Sequence, residues 1–318
     1  MEGNPQHGFR LYRRVGFILQ FLKFEAIEYG WRYLILCVSM NMNTKALAFL
    51  VSLFVLPPVA LVSATDLEYD RILLKEGFNG VAEAGLAKAL LAHRHISLAK
   101  GAGPDRSDAI RVAYVGYNGG SQRVVSAYPL HAKVDQATIS FDVRFAKDFQ
   151  WTLVGKLHGL GPKRPVTGGK ERRPDGWSAR TIFQPKGHCA SYLYDQDKSK
   201  TYGIGQKSDE PVFVAGRWHH VALQVSLNDP SRSNGWSCTL IDDQVVIKSE
   251  NIKFRGSGES ETLIQKFLFC TFHGGHTPKW TPVDRKGNPT TVYAYFDNFI
   301  ITEGIQQSPA DNVRHKKI

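Results

Sequence analysis

Methionine is almost missing from this sequence: 318 residues carry three, at positions 1, 40 and 42. Nothing beyond Met42 can start a chain, and nothing beyond it uses methionine to fill a core. Cysteine is nearly as scarce, with Cys37, Cys189, Cys238 and Cys270. No C-x-x-C pair and no His/Cys spacing suited to zinc occurs, and there is no internal repeat, linker or low-complexity tract. The apolar run 46–56 ends at Pro57-Pro58, short of the roughly 20 residues a membrane span needs. Acidic residues are in deficit, 29 against 40 basic ones, for a net charge of +11. That balance favours an acidic partner, whether nucleic acid, anionic membrane or polyanionic carbohydrate, without choosing among them. A hydrophobic content of 42% with 11% aromatics rules out wholesale disorder.

The amino-terminal 64 residues read as a leader. Lys45 precedes the apolar stretch 46–56, and Val62-Ser63-Ala64 supplies a small-residue cleavage site, the pattern of a secretory signal. Met42 stands where such a signal should begin, so 42–64 is expected to be the signal peptide and 1–41 an upstream extension from an early start codon. Removing the six basic and three acidic residues of 1–64 from 40 and 29 leaves 34 and 26, so the basic character belongs to residues 65–318. The expectation is a secreted or periplasmic monomer with no stable membrane insertion of the mature chain. In an oxidising compartment one disulfide among Cys189, Cys238 and Cys270 is expected, with the pairing open.

The mature chain reads as an all-β protein. Short β-rich runs recur at 109–117, 137–145, 152–157, 177–183, 189–194, 219–227, 237–247, 267–272 and 291–302, separated by Gly, Pro and Asn/Asp clusters. This is the signature of a β-jelly roll or concanavalin-like sandwich, here a single domain over 65–303 with a flexible tail at 304–318. Only 81–94 carries helical spacing. Gly216-Arg217-Trp218-His219-His220 resembles the concanavalin-like strand in which a turn glycine precedes a buried tryptophan. Adjacent strand residues face opposite ways, so at most one of His219 and His220 can face a site, and both are read as structural.

The densest chemistry lies between 151 and 205. A period of two places Lys156 with His158, Ser178 with Arg180, and Tyr192 with Tyr194, while Cys189, Ser191 and Leu193 point the other way. If the three strands are neighbours, one sheet surface carries Lys, Arg, Ser and two Tyr. The ordered set Gly155-Lys156-Leu157-x-Gly159-Leu160, Gly168-Gly169, Gly176-Trp177-Ser178-x-Arg180, Tyr192-x-Tyr194, Thr271-Phe272-His273-Gly274-Gly275 and Tyr295-Phe296-Asp297-Asn298-Phe299 resembles polysaccharide lyase family 14. The resemblance runs from about 109 to 302. It implies a β-jelly-roll enzyme that cleaves polyuronates such as alginate or glucuronan. It also implies a catalytic lysine at Lys156, a serine and arginine at Ser178 and Arg180, and a tyrosine pair at Tyr192 and Tyr194. His158 stands where the family commonly has proline. The loop 161–175, with Lys163, Arg164, Lys170, Arg172 and Arg173, is unusually basic. Hence His158, Arg172 and Arg173 are expected to bind substrate.

The residues suit that chemistry on their own account. β-Elimination removes the C5 proton beside a carboxylate and expels the C4 oxygen, so a cation must neutralise the carboxylate in the transition state. The planar fork of Arg180 matches a carboxylate, and Lys156 adds a point charge. A tyrosine between two cations has its phenolate favoured, so Tyr192 is expected to act as base and acid, with Tyr194 positioning the sugar and Ser178 orienting a carboxylate or hydroxyl. No metal or other cofactor is required. A glycoside hydrolase needs two carboxylates; no Glu-x-Asp-x-x-Glu run occurs, and Asp195/Asp197 and Asp242/Asp243 read as turn residues. The rival is a non-catalytic carbohydrate-binding module using exposed Trp177, Trp236 or Trp280. A nucleic-acid binder has charge but no motif behind it. If the leader reading holds, amino-terminal sequencing of exported protein will begin at or near Thr65; mature protein retaining 1–41 overturns it.

Overall fold

In the computed structural model the described residues are 72–80 and 85–306, so the leader expected over 1–64 and most of the tail lie outside them. Strand β6 (Gln136–Phe145) shows how the sequence builds the sandwich. Ala137, Ile139, Phe141, Val143 and Phe145 alternate inward and are buried, while Asp142 and Arg144 face out. Burial of each of the larger side chains, Ile139, Phe141, Val143 and Phe145, is worth about 1.5–3 kcal/mol, and one-residue slippage would expose the whole set. β6 is held between β10 (Trp218–Ser226) and β14 (Thr291–Glu303), both antiparallel to it. The sheet continues through β11 (Gly235–Ile241) to β12 (Gln244–Ile252) on one side, and through β3 (Ala109–Tyr117) to β2 (Ile96–Ala99) on the other. Two short strands complete its nine: β1 (Ile72–Glu76) pairs β14, and β4 (Gly120–Ser121) pairs β3.

The second sheet has five antiparallel strands in the order β5 (Val124–Val134), β13 (Ile264–His273), β7 (Gly155–Gly161), β8 (Ser178–Gln184) and β9 (His188–Tyr194). Between the sheets lies an aromatic core in which Phe141, Phe145, Phe183, Phe267, Phe269, Phe296 and Phe299 are buried. The architecture is the two-sheet sandwich the strand pattern predicts. The run 237–247 is, however, two strands: the chain reverses at Asp242 and Asp243, both at positive φ (50° and 63°), the conformation a two-residue hairpin requires. β5 escapes the pattern because it is an edge strand with Pro129 inside it and Val125, Ser126 and Ala127 exposed. The helical signal narrows to α1 (Gly85–Leu91), with 81–84 outside the described residues. No helix among the described residues is long and apolar enough to cross a membrane.

Three expectations need correction. Cys189, Cys238 and Cys270 are all free and buried. Cys189 and Cys270 lie on β9 and β13, separated by β7 and β8 and so beyond the roughly 7 Å that a disulfide can bridge between Cα atoms, and Cys238 lies in the other sheet. Trp218 is half-buried on the outer face under Arg144 (5.1 Å), whereas the next residue, His219, is buried and hydrogen-bonded to Asp242 and Val214. Finally, Lys156 and His158 do not share a face. Pairing of β7 with β8 shifts register between Lys156 and Gly159, and pairing with β13 shifts between Leu268 and Phe272. This bulge turns both Leu157 and His158 inward. His158 lies 4.3 Å from Phe269, 4.7 Å from Phe141 and 4.8 Å from Phe296 between ring centroids, and its Nδ1 accepts the Cys270 amide at 3.1 Å.

Burial lowers the pKa of His158 well below its ordinary value and that of His273 to about 4. Both rings gain a proton on unfolding below about pH 6.5, so the unfolded chain binds more protons and stability falls as pH falls. Urea unfolding is expected to show a loss between about pH 6.5 and 5 approaching 1.4 kcal/mol per pH unit for each ring. His158→Gln, which keeps an acceptor, should remove about half of that slope; a slope unchanged in the variant refutes the assignment.

Candidate active site

The outward face of the five-stranded sheet forms the floor of a cleft of about 1020 Å³. Register brings its polar residues together from separate strands. Arg180 on β8 pairs with Tyr192 on β9, Ser178 with Tyr194, and Lys156 on β7 lies between Phe272 and Ile182. Lys156 Nζ stands 3.6 Å from the centre of the Tyr192 ring, with the Arg180 guanidinium 5.2 Å from the same ring. The two tyrosine hydroxyls are 3.3 Å apart. Gly159 permits this closeness: a Cβ there would meet the Ala179 carbonyl oxygen at 2.0 Å and the Arg180 Cα at 2.7 Å. Gly203 similarly fits against the edges of both tyrosines, within 3.0 Å of where its Cβ would be.

Arg123, Lys156, Arg180 and Lys207 line the cleft, and no carboxylate among the described residues does. Arg180 is buried, donates to Cys270 Sγ at 3.5 Å, and keeps its Nε without a hydrogen-bond partner among the described residues. Such buried, uncompensated charge is costly and suits a site that receives an anion. Its effect on the neighbours departs from the sequence reading. Burial, and after it the charge of Arg180, lowers the Lys156 pKa to about 7. Burial and the Tyr194 hydroxyl raise the Tyr192 pKa, outweighing Arg180 and the Gly203 amide. The phenol therefore keeps its proton at neutral pH, while the lysine is poised to lose one. Among the described residues no group of three His, Cys, Asp or Glu side chains is placed to hold a metal ion.

The segment 162–177 between β7 and β8 is a pinned wall. Ser178 is fully buried and its hydroxyl donates to the Val166 carbonyl at 2.8 Å; it secures the wall and does not line the cleft. Tyr194 is also buried, and its hydroxyl accepts the Gly169 amide at 2.9 Å. Arg172 is packed with its guanidinium 4.3 Å from the Tyr194 ring and donates to the Tyr202 carbonyl at 3.1 Å. Three of the loop's other cations are internally neutralised: Lys163 pairs with Glu261 at 2.6 Å, and Arg164 and Arg173 share Asp175 at 2.7 and 3.5 Å. Neither Arg172 nor Arg173, both expected to grip substrate, lines the cleft: one clamps a tyrosine and the other, half-exposed, braces the loop. His158, buried in the core, is likewise removed from the substrate-binding set.

Arg123, Lys207, His276 and Trp280 line the cleft without having been singled out as a group. They come from connections flanking the strands, where no periodicity marks direction. Trp177, proposed for a binding module, is fully buried with its indole N–H on the Thr262 carbonyl. Asp195 and Asp197 each accept the amide of the residue two further on, a turn role.

The family model for polysaccharide lyase 14 matches residues 111–299. Among solved structures, the alginate lyase Aly36B is 21% identical over 73% of this chain and 97% of its own, with a TM-score of 0.57. A marine PL-14 alginate lyase from Aplysia kurodai is 20% identical over 72% and 98%, at 0.55. The endo-β-1,4-glucuronan lyase of the fungus Trichoderma reesei is 13% identical over 73% and 95%, at 0.51. These likenesses show a common fold. No protein of curated function matches the chain.

The pins on the loop generate a direct test. Lys163, Lys170 and Arg172 offer trypsin three sites, Arg164 and Arg173 each being followed by proline, and the wall's hydrogen bonds should protect them. Ser178→Ala removes the bond to Val166, worth about 1–1.5 kcal/mol, so cleavage within 163–173 should accelerate about tenfold. Equal digestion rates in variant and parent would show that Ser178 does not hold the wall.

Proposed function

Because the chain belongs to the polysaccharide lyase 14 family and is a polysaccharide lyase, we propose that it cleaves a polyuronate, of the alginate or glucuronan kind its structural relatives are named for, by syn β-elimination. The observation that carries this reading is the placing of the Lys156 amine 3.6 Å from the Tyr192 ring, beside Arg180, on a floor without carboxylates. In mannuronate and glucuronate the C5 proton and the C4 oxygen lie on the same side of the sugar. A base and an acid side by side on one surface fit that geometry; a base and an acid on opposite walls would not.

The chemical roles divide among Arg180, Lys156 and Tyr192. Arg180, with an unpartnered Nε, neutralises the substrate carboxylate as charge builds at C5. Lys156, its pKa lowered to about 7, takes the C5 proton as a neutral amine. The C4=C5 double bond forms, the C4–O bond breaks, and Tyr192, held protonated by burial, gives its proton to the departing oxygen. The sequence reading placed both roles on Tyr192; desolvation, which acts oppositely on an ammonium and a phenol, favours their division. Tyr194 fixes the Tyr192 hydroxyl from behind. Arg180 supplies the cation that the carboxylate needs, so the scheme calls for no metal. A hydrolase reading lacks its two carboxylates, and a binding module has no use for the depressed lysine. We extend the lyase domain over 65–303 and place its action outside the cytoplasm, on the strength of the 42–64 pattern.

Initial rates of unsaturated product across a polyuronate panel test the scheme. kcat/KM is expected to fall as pH drops below about 7, where Lys156 becomes charged. Lys156→Arg, charged throughout, and Tyr192→Phe should each lower kcat by at least about 100-fold with circular dichroism unchanged. A profile that keeps rising beyond pH 9, or near-normal turnover in Lys156→Arg, would return the base to tyrosine.

A further inference from the structure

The cleft has a direction that strand register reveals. Starting from Lys156, its partner on β13 is Phe272 and its partner on β8 is Ile182. Ile182 pairs with Ala190 on β9, and Ala190 bridges Lys207 beyond that edge. On the opposite side, Thr271 pairs with Val124, which puts Arg123 next to Phe272, and the Arg123 guanidinium lies 5.6 Å from the Phe272 ring. The residues Arg123, Phe272, Lys156, Ile182, Ala190 and Lys207 thus form one row across the strands, and all six line the cleft. With strands about 4.8 Å apart, its five steps run about 24 Å, the length of several sugar rings. The walls stand at the two strand ends: Pro165, Thr167, Gly168 and Tyr202 on one side, and Gly274, His276 and Trp280 on the other. A trough so bounded is open along the row and closed across it.

We infer that the polyuronate lies across the strands along this row, with Arg123 and Lys207 binding carboxylates of sugars on either side of the one that reacts. This deepens the proposed reaction and rests on it for the place of the reacting sugar. Both residues are exposed, neither has an ion-pair partner among the described residues, and no acid interrupts the row. Between the cations the row carries only the charge of Lys156, its other members Phe272, Ile182 and Ala190 being apolar. A chain held on both sides of the reacting sugar is cut internally.

The test uses the full chain and its Arg123→Gln and Lys207→Gln variants, with polymannuronate and polyglucuronate as probes. Binding is followed by affinity electrophoresis and cleavage by the unsaturated product. Each substitution should raise KM and the dissociation constant about two- to fivefold, the worth of an exposed ion pair, and the double variant about by the product. The salt dependence of KM should become shallower, and kcat should change by less than about twofold, the mark of uniform binding. Wild-type KM and salt dependence in both variants, on a polymer the parent cleaves, overturn the track. If the parent binds these polymers, binds them more weakly after either substitution, and yields no unsaturated product, the track stands and the lyase assignment on these substrates falls. A parent that binds neither polymer overturns both.

Discussion

Unmatched positive charge beneath the cleft is the constraint on which this molecule turns. Arg180 is held in a sheet, deprived of most of its water and given a thiol instead of a carboxylate as neighbour. Burial, and after it the Arg180 charge, lowers the Lys156 pKa, and burial likewise keeps the Tyr192 proton in place. A carboxylate built into the floor would relieve the strain, raise the lysine and close the site to an anionic substrate. In the proposed reaction the lack of acid among the described lining residues matters as much as the base. Nearby, three cations of the 162–177 loop, Lys163, Arg164 and Arg173, are paired with Glu261 and Asp175, whereas Arg180 has no such partner among the described residues.

The scaffold serves this arrangement by rigidity. The tyrosine pair is fixed by the Gly169 amide, the Arg172 guanidinium and the close approach of Gly203, so the hydroxyls have little freedom to reorient. Behind the sheet, the aromatic core fills the space between the layers from both sides. The geometry of the proposed site is thereby set by strand pairing and locked by the flanking loops.

Much of this was legible in the sequence, and the limits are physical. Alternation in β6 and the Tyr192/Tyr194 and Ser178/Arg180 pairs read correctly because a regular strand keeps its period of two. Adjacency of those pairs needed the family resemblance, since no local pattern fixes which strands neighbour. The period failed at Lys156 and His158, where two inward residues in succession break parity. Arg172 was visible as a cation, but its burial against Tyr194 depends on the path of a loop without periodicity. The direction of the lysine and tyrosine pKa shifts was missed for a related reason. Sequence displays the nearby charges, but desolvation, which here dominates, exists only once the sheets have packed.

The bulge in β7 gives the strand a phase as well as a sequence. Its first half answers to the cleft through Lys156, its second to the core through Leu157, His158 and Leu160. Removing one residue at 157–158 would leave a respectable hydrophobic strand in which the lysine and the core residues could not both keep their sides. The segment is accordingly written in a reading frame of its own, where an indel is costlier than most substitutions. Evolution can rewrite the trough's banks by lengthening or trimming loops, but it can alter this strand only letter for letter.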